Sequence, residues 1–210
     1  MKNTICLSAL IGAVLFIFNS VVSGQEPVPV LSYTFEQGTA TDDSGSFPYV
    51  LQNNAMVLPT DDDNHVLSTG NENGYLDLGA NIGREVLSGL TSDYTISLDV
   101  CVDAVNTLNR FSWAWAFTNG TGMYLGMVNA AGNGNWYYEI KNSSAQSVQS
   151  KSGIATDTWH TITVVQQAGE CTYYLDGVAK ATTSLTLQPA DFASSLTANY
   201  LARSPFSGDA

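Results

Sequence analysis

Positive charge is scarce in this chain. Its 210 residues hold 7 lysines and arginines against 19 aspartates and glutamates, a formal net charge of −12. So acidic a protein repels phosphate backbones and anionic lipid surfaces, so no nucleic acid or anionic-membrane partner is expected, whereas neutral glycans and divalent cations remain compatible. Histidine is scarcer still: His65 and His160 are the only two, and neither has a serine-and-acid arrangement or a metal-ligand spacing beside it. Both read as ordinary strand residues without a chemical partner. Regular alternation of strand and helix patterns is missing as well, which excludes a nucleotide-binding α/β domain. Gly120-Thr121-Gly122 and Gly132-Asn133-Gly134 are followed by no Lys-Ser/Thr and open no helix, so they are turns and not phosphate loops.

Cysteine is limited to 3 residues. Cys6 lies within an apolar amino-terminal stretch, badly placed for lipid modification. That stretch, residues 1–24, reads as an export leader: Lys2 supplies the positive start, 5–18 is apolar, and Val22-Ser23-Gly24 offers small residues for cleavage. Its apolar run is shorter than the roughly 20 residues that span a bilayer, so no membrane insertion is expected after leader cleavage. The expected location is the periplasm, the cell surface or the extracellular space. Losing the leader removes Lys2 and no acid, leaving six basic residues against nineteen acidic ones, a formal charge of −13. Export would permit a bridge between Cys101 and Cys171, worth roughly 4 kcal/mol in the chain-entropy model. Face counting argues against it, because alternation turns Cys101 out of its strand and Cys171 into the interior.

What the chain does contain is a succession of about a dozen short β patterns, beginning after the proline spacer at 25–30. Residues 31–35, 49–58, 65–68, 74–78, 92–102, 110–118, 123–129, 136–141, 148–150, 179–187 and 199–203 read as strands, divided by short polar breaks. The most informative stretch is 159–177, WHTITVVQQAGECTYYLDG. Trp159 to Val165 is a strand, Gln166 to Gly169 a break, Cys171 to Leu175 a second strand, and Asp176-Gly177 a type I′ turn signal. Helical turns are expected only at 82–90 and 189–196. Such a pattern predicts an all-β, antiparallel two-sheet sandwich in residues 31–210.

Side-chain alternation then sorts the aromatics. Phe111, Trp113, Trp115 and Phe117 share one face and are expected in the core, opposite Ser112, Ala114, Ala116 and Thr118. Trp136, Tyr138 and Ile140 also point inward. Tyr137, with Glu139, and Tyr174 point outward, and flat outward rings beside polar groups suit stacking against sugars. Asp99 lies on an outward strand face. Glycoside cleavage needs two carboxyl groups about 5–5.5 Å or 6.5–9.5 Å apart; Asp99 and Asp103 share a face but are about 13 Å apart at four extended residues. Calcium takes several oxygen ligands, and the loop Asp42-Asp43-Ser44-Gly45 is the best candidate, through Asp42, with Asp61-Asp62-Asp63 second.

Several pieces, in order, resemble a bacterial laminin-G-like jelly roll of the concanavalin A-like lectin/glucanase superfamily. They are residues 31–36 followed by Asp42-Asp43-Ser44-Gly45, Gly74-Tyr75-Leu76-Asp77-Leu78, Tyr94-Thr95-Ile96-Ser97-Leu98, Trp159-His160, Tyr174-Leu175-Asp176-Gly177 and Tyr200-Leu201-Ala202-Arg203-Ser204. The resemblance implies two curved sheets, calcium at the sandwich edge, and use as a sugar-binding or accessory module. Asp42 falls where the family commonly carries a loop acid. Two departures stand out. Asp99 occupies a position usually held by tryptophan, and the family's last strand, which pairs beside the first, is missing before Ala210, so residues 31–35 are expected to present an open edge. None of Glu26, Glu36, Glu72, Glu85, Glu139 or Glu170 begins the Glu-x-Asp-x-Glu pattern of the superfamily's glucanases. The reading is a noncatalytic exported carbohydrate-binding or accessory module recognising a polysaccharide through Tyr137, Tyr174 and Asp99, with a catalytic domain expected downstream. The alternatives are a structural or adhesive protein-interaction module and, third, a glycoside hydrolase.

Overall fold

The computed structural model describes residues 10–11, 15–19, 28–47, 49–60, 64–70, 73–102, 111–120, 122–130 and 134–209. Chain order gives β1 (Leu10–Ile11), β2 (Leu15–Asn19), β3 (Leu31–Tyr33), β4 (Val50–Gln52), β5 (Met56–Pro59), β6 (His65–Ser68) and β7 (Tyr75–Asp77). The helix α1 (Asn81–Glu85) and a 3-10 turn follow, then β8 (Tyr94–Cys101), β9 (Ser112–Thr118), β10 (Tyr124–Asn129), β11 (Asn135–Lys141) and β12 (Ala145–Gly153). The chain continues with β13 (Trp159–Gln167), β14 (Glu170–Leu175), β15 (Val178–Ser184), two 3-10 turns and β16 (Ala198–Leu201). Helical structure among the described residues thus falls at the two expected places.

Two antiparallel sheets form the sandwich. One has seven strands in the order β12-β11-β10-β9-β16-β7-β4 and the other six in the order β15-β14-β13-β8-β2-β3, with a small third sheet, β1-β6-β5, beside them. The inward faces are built from period-two alternation: Tyr94, Ile96, Leu98 and Val100 on β8, Ile162 and Val164 on β13, Tyr173 and Leu175 on β14, and Trp136, Tyr138 and Ile140 on β11 are all buried in one core. A hydrogen bond of 2.9 Å between the Tyr94 and Tyr138 hydroxyls ties β8 of one sheet to β11 of the other through that core. The hairpin of β13 and β14 turns through Ala168 (φ 51°) and Gly169 (φ 82°), and the next turns through Asp176 (φ 51°) and Gly177 (φ 74°), both with the paired positive φ of a type I′ turn.

Four expectations change. The expected strand 31–35 stops at Tyr33, because Phe35 takes a left-handed φ of 60° and leaves the extended path. The expected strand 49–58 breaks at Asn53 (φ 55°), and its halves go to different sheets, β4 beside β7 and β5 beside β6. The strand expected to present an open edge does end its sheet, but its inner neighbour is β2, which lies within the stretch read as an export leader. Cys101, expected to face out of its strand, is buried, and the bridge left open between it and Cys171 is absent, because Cys171 is a free buried thiol. On β13, Cys101 pairs with Trp159 and Cys171 with Gln166. Seven extended residues place them about 23 Å apart, against Cα spacings of about 5.5–6 Å in disulfides.

Candidate functional site

The outer face of the seven-stranded sheet owes its character to one extra residue. Along the β9–β10 ladder Trp115 pairs with Met127, but Trp113 pairs with Val128, so Ala114 is a β-bulge. Past a bulge the alternation reverses. Trp115 and Phe117 therefore stay in the core as expected, whereas Trp113 is turned to the opposite face. Phe111, expected in the core with them, is 39% exposed. Gly126 makes room for the displaced indole: a Cβ there would sit 2.6 Å from Trp113 Cζ3 and 2.6 Å from the Trp115 carbonyl.

On this outer face Trp113, Ala116, Tyr124 and Val128 form a second apolar cluster, with Tyr137 and Phe206 packed half-exposed against it. The rings meet edge to face, Trp113 to Tyr124 at 5.6 Å and Tyr124 to Phe206 at 5.5 Å between centroids. Two carboxylates border them. Tyr124 donates its hydroxyl to Glu139, and Asp209 accepts the Trp113 indole N–H at 2.8 Å and the Ser204 hydroxyl at 2.6 Å. Burial, with the Glu139 and Asp209 carboxylates adding, pushes the Tyr137 phenol up to about 12. The Tyr137 phenol is therefore a neutral hydrogen-bond donor at physiological pH.

Across the same face lie Tyr75 and Tyr200, their rings 5.4 Å apart and nearly perpendicular. The Arg203 guanidinium sits over both, 4.3 Å from the Tyr75 centroid and 4.7 Å from that of Tyr200. Tyr200 pairs with Asp77 on one side and Ala116 on the other, and Ala116 faces Gly126, which faces Glu139. Polar groups at Asp77, Arg203 and Glu139 are thus interleaved with half-exposed rings on one sheet surface.

The other proposed contacts lie elsewhere. Asp99 and Tyr174 project from the outer face of the six-stranded sheet, where Asp99 accepts the Thr161 hydroxyl at 2.6 Å. A depression of about 220 Å3 is lined by Asp99, Trp159, His160, Thr161 and Asp176. His160 was expected to have no chemical partner; in fact its Nδ1 lies 2.8 Å from Asp176 Oδ2, and Asp176 Oδ1 accepts the Thr161 N–H at 2.9 Å. The His160 bond, more than any other influence, holds the Asp176 carboxyl below the usual range. Sheet placement therefore joins Asp99 with Tyr174 and separates both from Tyr137, which is on the opposite side of the sandwich.

Asp42 is buried in the loop that lines a 440 Å3 depression with Thr34, Phe35, Asp43 and Ser44. Its Oδ1 accepts the Phe47 N–H at 2.7 Å and its Oδ2 the Ser44 N–H at 3.0 Å together with the Ser44 hydroxyl. Asp43 bonds Ser32 and Thr34 of the neighbouring strand segment. No group of three or more histidine, cysteine or acidic side chains able to hold a metal occurs among the described residues. Both Asp42 oxygens are thus engaged by the loop's own hydrogen bonds. Asp61-Asp62-Asp63 and Asp103 lie outside the described residues.

Sequence reasoning missed Tyr75, Tyr200, Arg203, Trp113, Tyr124 and Phe206 as groups of the outer sheet face, of which Trp113 and Tyr124 are themselves buried there. Tyr75 and Tyr200 each alternate with a buried leucine, Leu76 and Leu201, which is the available signal; nothing in the residues around Ala114 announces its bulge.

Residues 68–210 match the family model Laminin_G_3, described as the concanavalin A-like lectin/glucanases superfamily. No match was found among the curated proteins. Among solved structures, domain 4 of AbnA, a GH43 extracellular arabinanase from Geobacillus stearothermophilus, in complex with arabinotriose, is similar with a TM-score of 0.67 at 15% identity, covering 84% of each chain. The binding domain of botulinum neurotoxin serotype D is similar with a TM-score of 0.54 at 14% identity, over 91% of this chain and 43% of that one. At these identities the likeness is one of fold. No helix among the described residues is long and apolar enough to cross a membrane.

Proposed function

The chain belongs to the concanavalin A-like lectin/glucanases superfamily, and we propose that it is a noncatalytic, exported carbohydrate-binding module that recognises polysaccharide on the outer face of its seven-stranded sheet. The observation that carries this reading is the shared surface on which half-exposed Tyr75, Tyr200, Tyr137 and Phe206 alternate with Arg203, Asp77 and Glu139. Aromatic faces supply stacking area to the C–H faces of sugar rings, and fixed carboxylates and a guanidinium supply hydrogen bonds to hydroxyls. A sheet surface is shallow, which suits an extended chain more than an enclosed monosaccharide. Asp99 and Tyr174, on the other sheet, form a secondary candidate surface.

Binding of the purified protein to a panel of neutral polysaccharides, arabinan among them, tests the proposal. Replacing Tyr200 by alanine is expected to weaken binding about tenfold, the equivalent of about 1.4 kcal/mol, while Tyr174→Ala leaves it unchanged. Absence of binding to every polysaccharide would favour the adhesive, protein-interaction reading; binding lost in Tyr174→Ala and kept in Tyr200→Ala would move the site to the six-stranded sheet. Turnover of any polysaccharide would overturn the noncatalytic assignment.

A further inference from the structure

We propose that the gap between β3 and β8 is a strand-acceptor slot, and that its occupant is this chain's own apolar segment Leu15–Asn19, held by backbone pairing and a buried isoleucine. The segment pairs antiparallel on both sides. Leu15, Phe16 and Ile17 face Tyr33, Ser32 and Leu31 of β3, while Phe16 through Asn19 face Ser97 through Tyr94 of β8. The Val30 N–H extends the ladder to the Ile17 carbonyl at 2.7 Å. Ile17 is fully buried and belongs to the main core.

The walls of this slot do not depend on its filling. Neighbouring strands lie about 4.8 Å apart, so removing β2 would leave β3 and β8 about 9.6 Å apart and unable to bond each other. β8 is held by β13 along its whole length. β3 is anchored separately: Leu31 and Tyr33 are in the core, and Asp43 bonds Ser32 through its backbone N–H, at 2.8 Å, and through its carboxylate. An empty slot would therefore expose two rows of unpaired backbone groups over an apolar floor, the arrangement that captures an extended peptide. The sequence of the occupant suits this role, since Phe16-Ile17-Phe18 is aromatic and β-branched, the composition that favours strands. The same residues supply the apolar run of the expected export leader, so cleavage after Gly24 would separate the strand from the sheet covalently without removing the reason for it to stay.

The experiment uses the full chain, folded first, with a specific protease site substituted between Gly24 and Val28 and cut afterwards. Native mass spectrometry is expected to find the two pieces as one complex. Because β1 also pairs with β6, a labelled peptide of residues 13–21 isolates the slot: added in excess it is expected to replace the amino-terminal piece. A peptide carrying Ile17→Asp should bind roughly a hundredfold more weakly, as a buried unpaired charge requires. The proposal fails if the piece separates and the remainder stays monomeric with the Leu31 and Thr95 amides, which face β2, still protected from exchange, if the remainder instead pairs with a second copy, or if the Ile17→Asp peptide binds as well as the native one.

Discussion

Gly126→Ala is the substitution that most directly tests the link between the core and the proposed binding face. The new Cβ would lie 2.6 Å from both Trp113 Cζ3 and the Trp115 carbonyl, and 2.8 Å from Trp113 Cε3. The carbonyl belongs to the ladder with β10 and cannot retreat, so the indole must. Overpacking of this kind costs about 1–3 kcal/mol, and a displaced Trp113 also strains its N–H bond to Asp209. Against this stands the reduced freedom of the unfolded chain, which favours alanine by about 0.4–1 kcal/mol. The net expectation is a loss of about 1–2 kcal/mol, seen as a midpoint lowered by about 2–8 °C for a domain of this size, together with weakened polysaccharide binding. Gly122→Ala is the control, because its Cβ would meet nothing nearer than the Asn119 side chain at 3.6 Å; it should be neutral or slightly stabilising. If urea and thermal denaturation show Gly126→Ala behaving like Gly122→Ala, Trp113 does not rest on Gly126 and the account of the outer face is wrong.

Other expectations can be checked with the same protein. Tyr94→Phe should cost about 1–3 kcal/mol because it leaves the buried Tyr138 hydroxyl without its 2.9 Å partner, whereas the double Tyr94→Phe, Tyr138→Phe variant should lose much less than the sum, which a double-mutant cycle in urea would show. Asp176 has a folded pKa below its unfolded value, so its contribution is present above the ordinary carboxylate range near pH 4 and is lost as pH falls through the folded value. Since the carboxylate is 51% exposed, the effect should stay below about 1 kcal/mol and shrink in salt; Asp176→Asn should flatten the acid limb of the stability curve by that amount and no more. Calcium added to chelated protein should leave the melting temperature unchanged, and a clear rise would show that the Asp42 loop opens its hydrogen bonds to an ion.

Where side-chain alternation is unbroken, residues alone were enough. On β8, β11 and the β13–β14 hairpin each inward residue is buried as expected, because one face meets a continuous core and a slip of one residue would invert them all. Tyr137 and Glu139 follow the same rule to the outside. The reading failed where a single residue changed the count. Ala114 carries no mark that distinguishes a bulge from a regular strand position, so Trp113 was assigned to the interior. His160 lost its partner in the reading for a different reason: Asp176 reaches it from the next turn, and that contact exists only once β14 is laid beside β13. The stretch read as a leader presents a third case, since an export leader and a strand laid between β3 and β8 both suit an apolar run, and residues 15–19 are compatible with both.

The bulge also explains why Arg203 stands where it does. The Ala114 carbonyl accepts the Ala202 N–H at 2.8 Å. Reaching it places Ala202 at a φ of 63°, a left-handed conformation that costs an alanine roughly 1–2 kcal/mol. That cost is met by a backbone hydrogen bond which satisfies the carbonyl β9 loses at its irregularity. Immediately after this reversal the chain delivers Arg203 over Tyr75 and Tyr200, and two residues farther on Pro205 leads into Phe206, which covers Trp113. One inserted residue in β9 thus turns the indole outward and fixes the segment that lies across it. Core and binding face are consequently not separable on this strand: Trp115 and Phe117 set the position of β9 in the sandwich, and Ala114 converts that position into the arrangement of rings and charge on the other side.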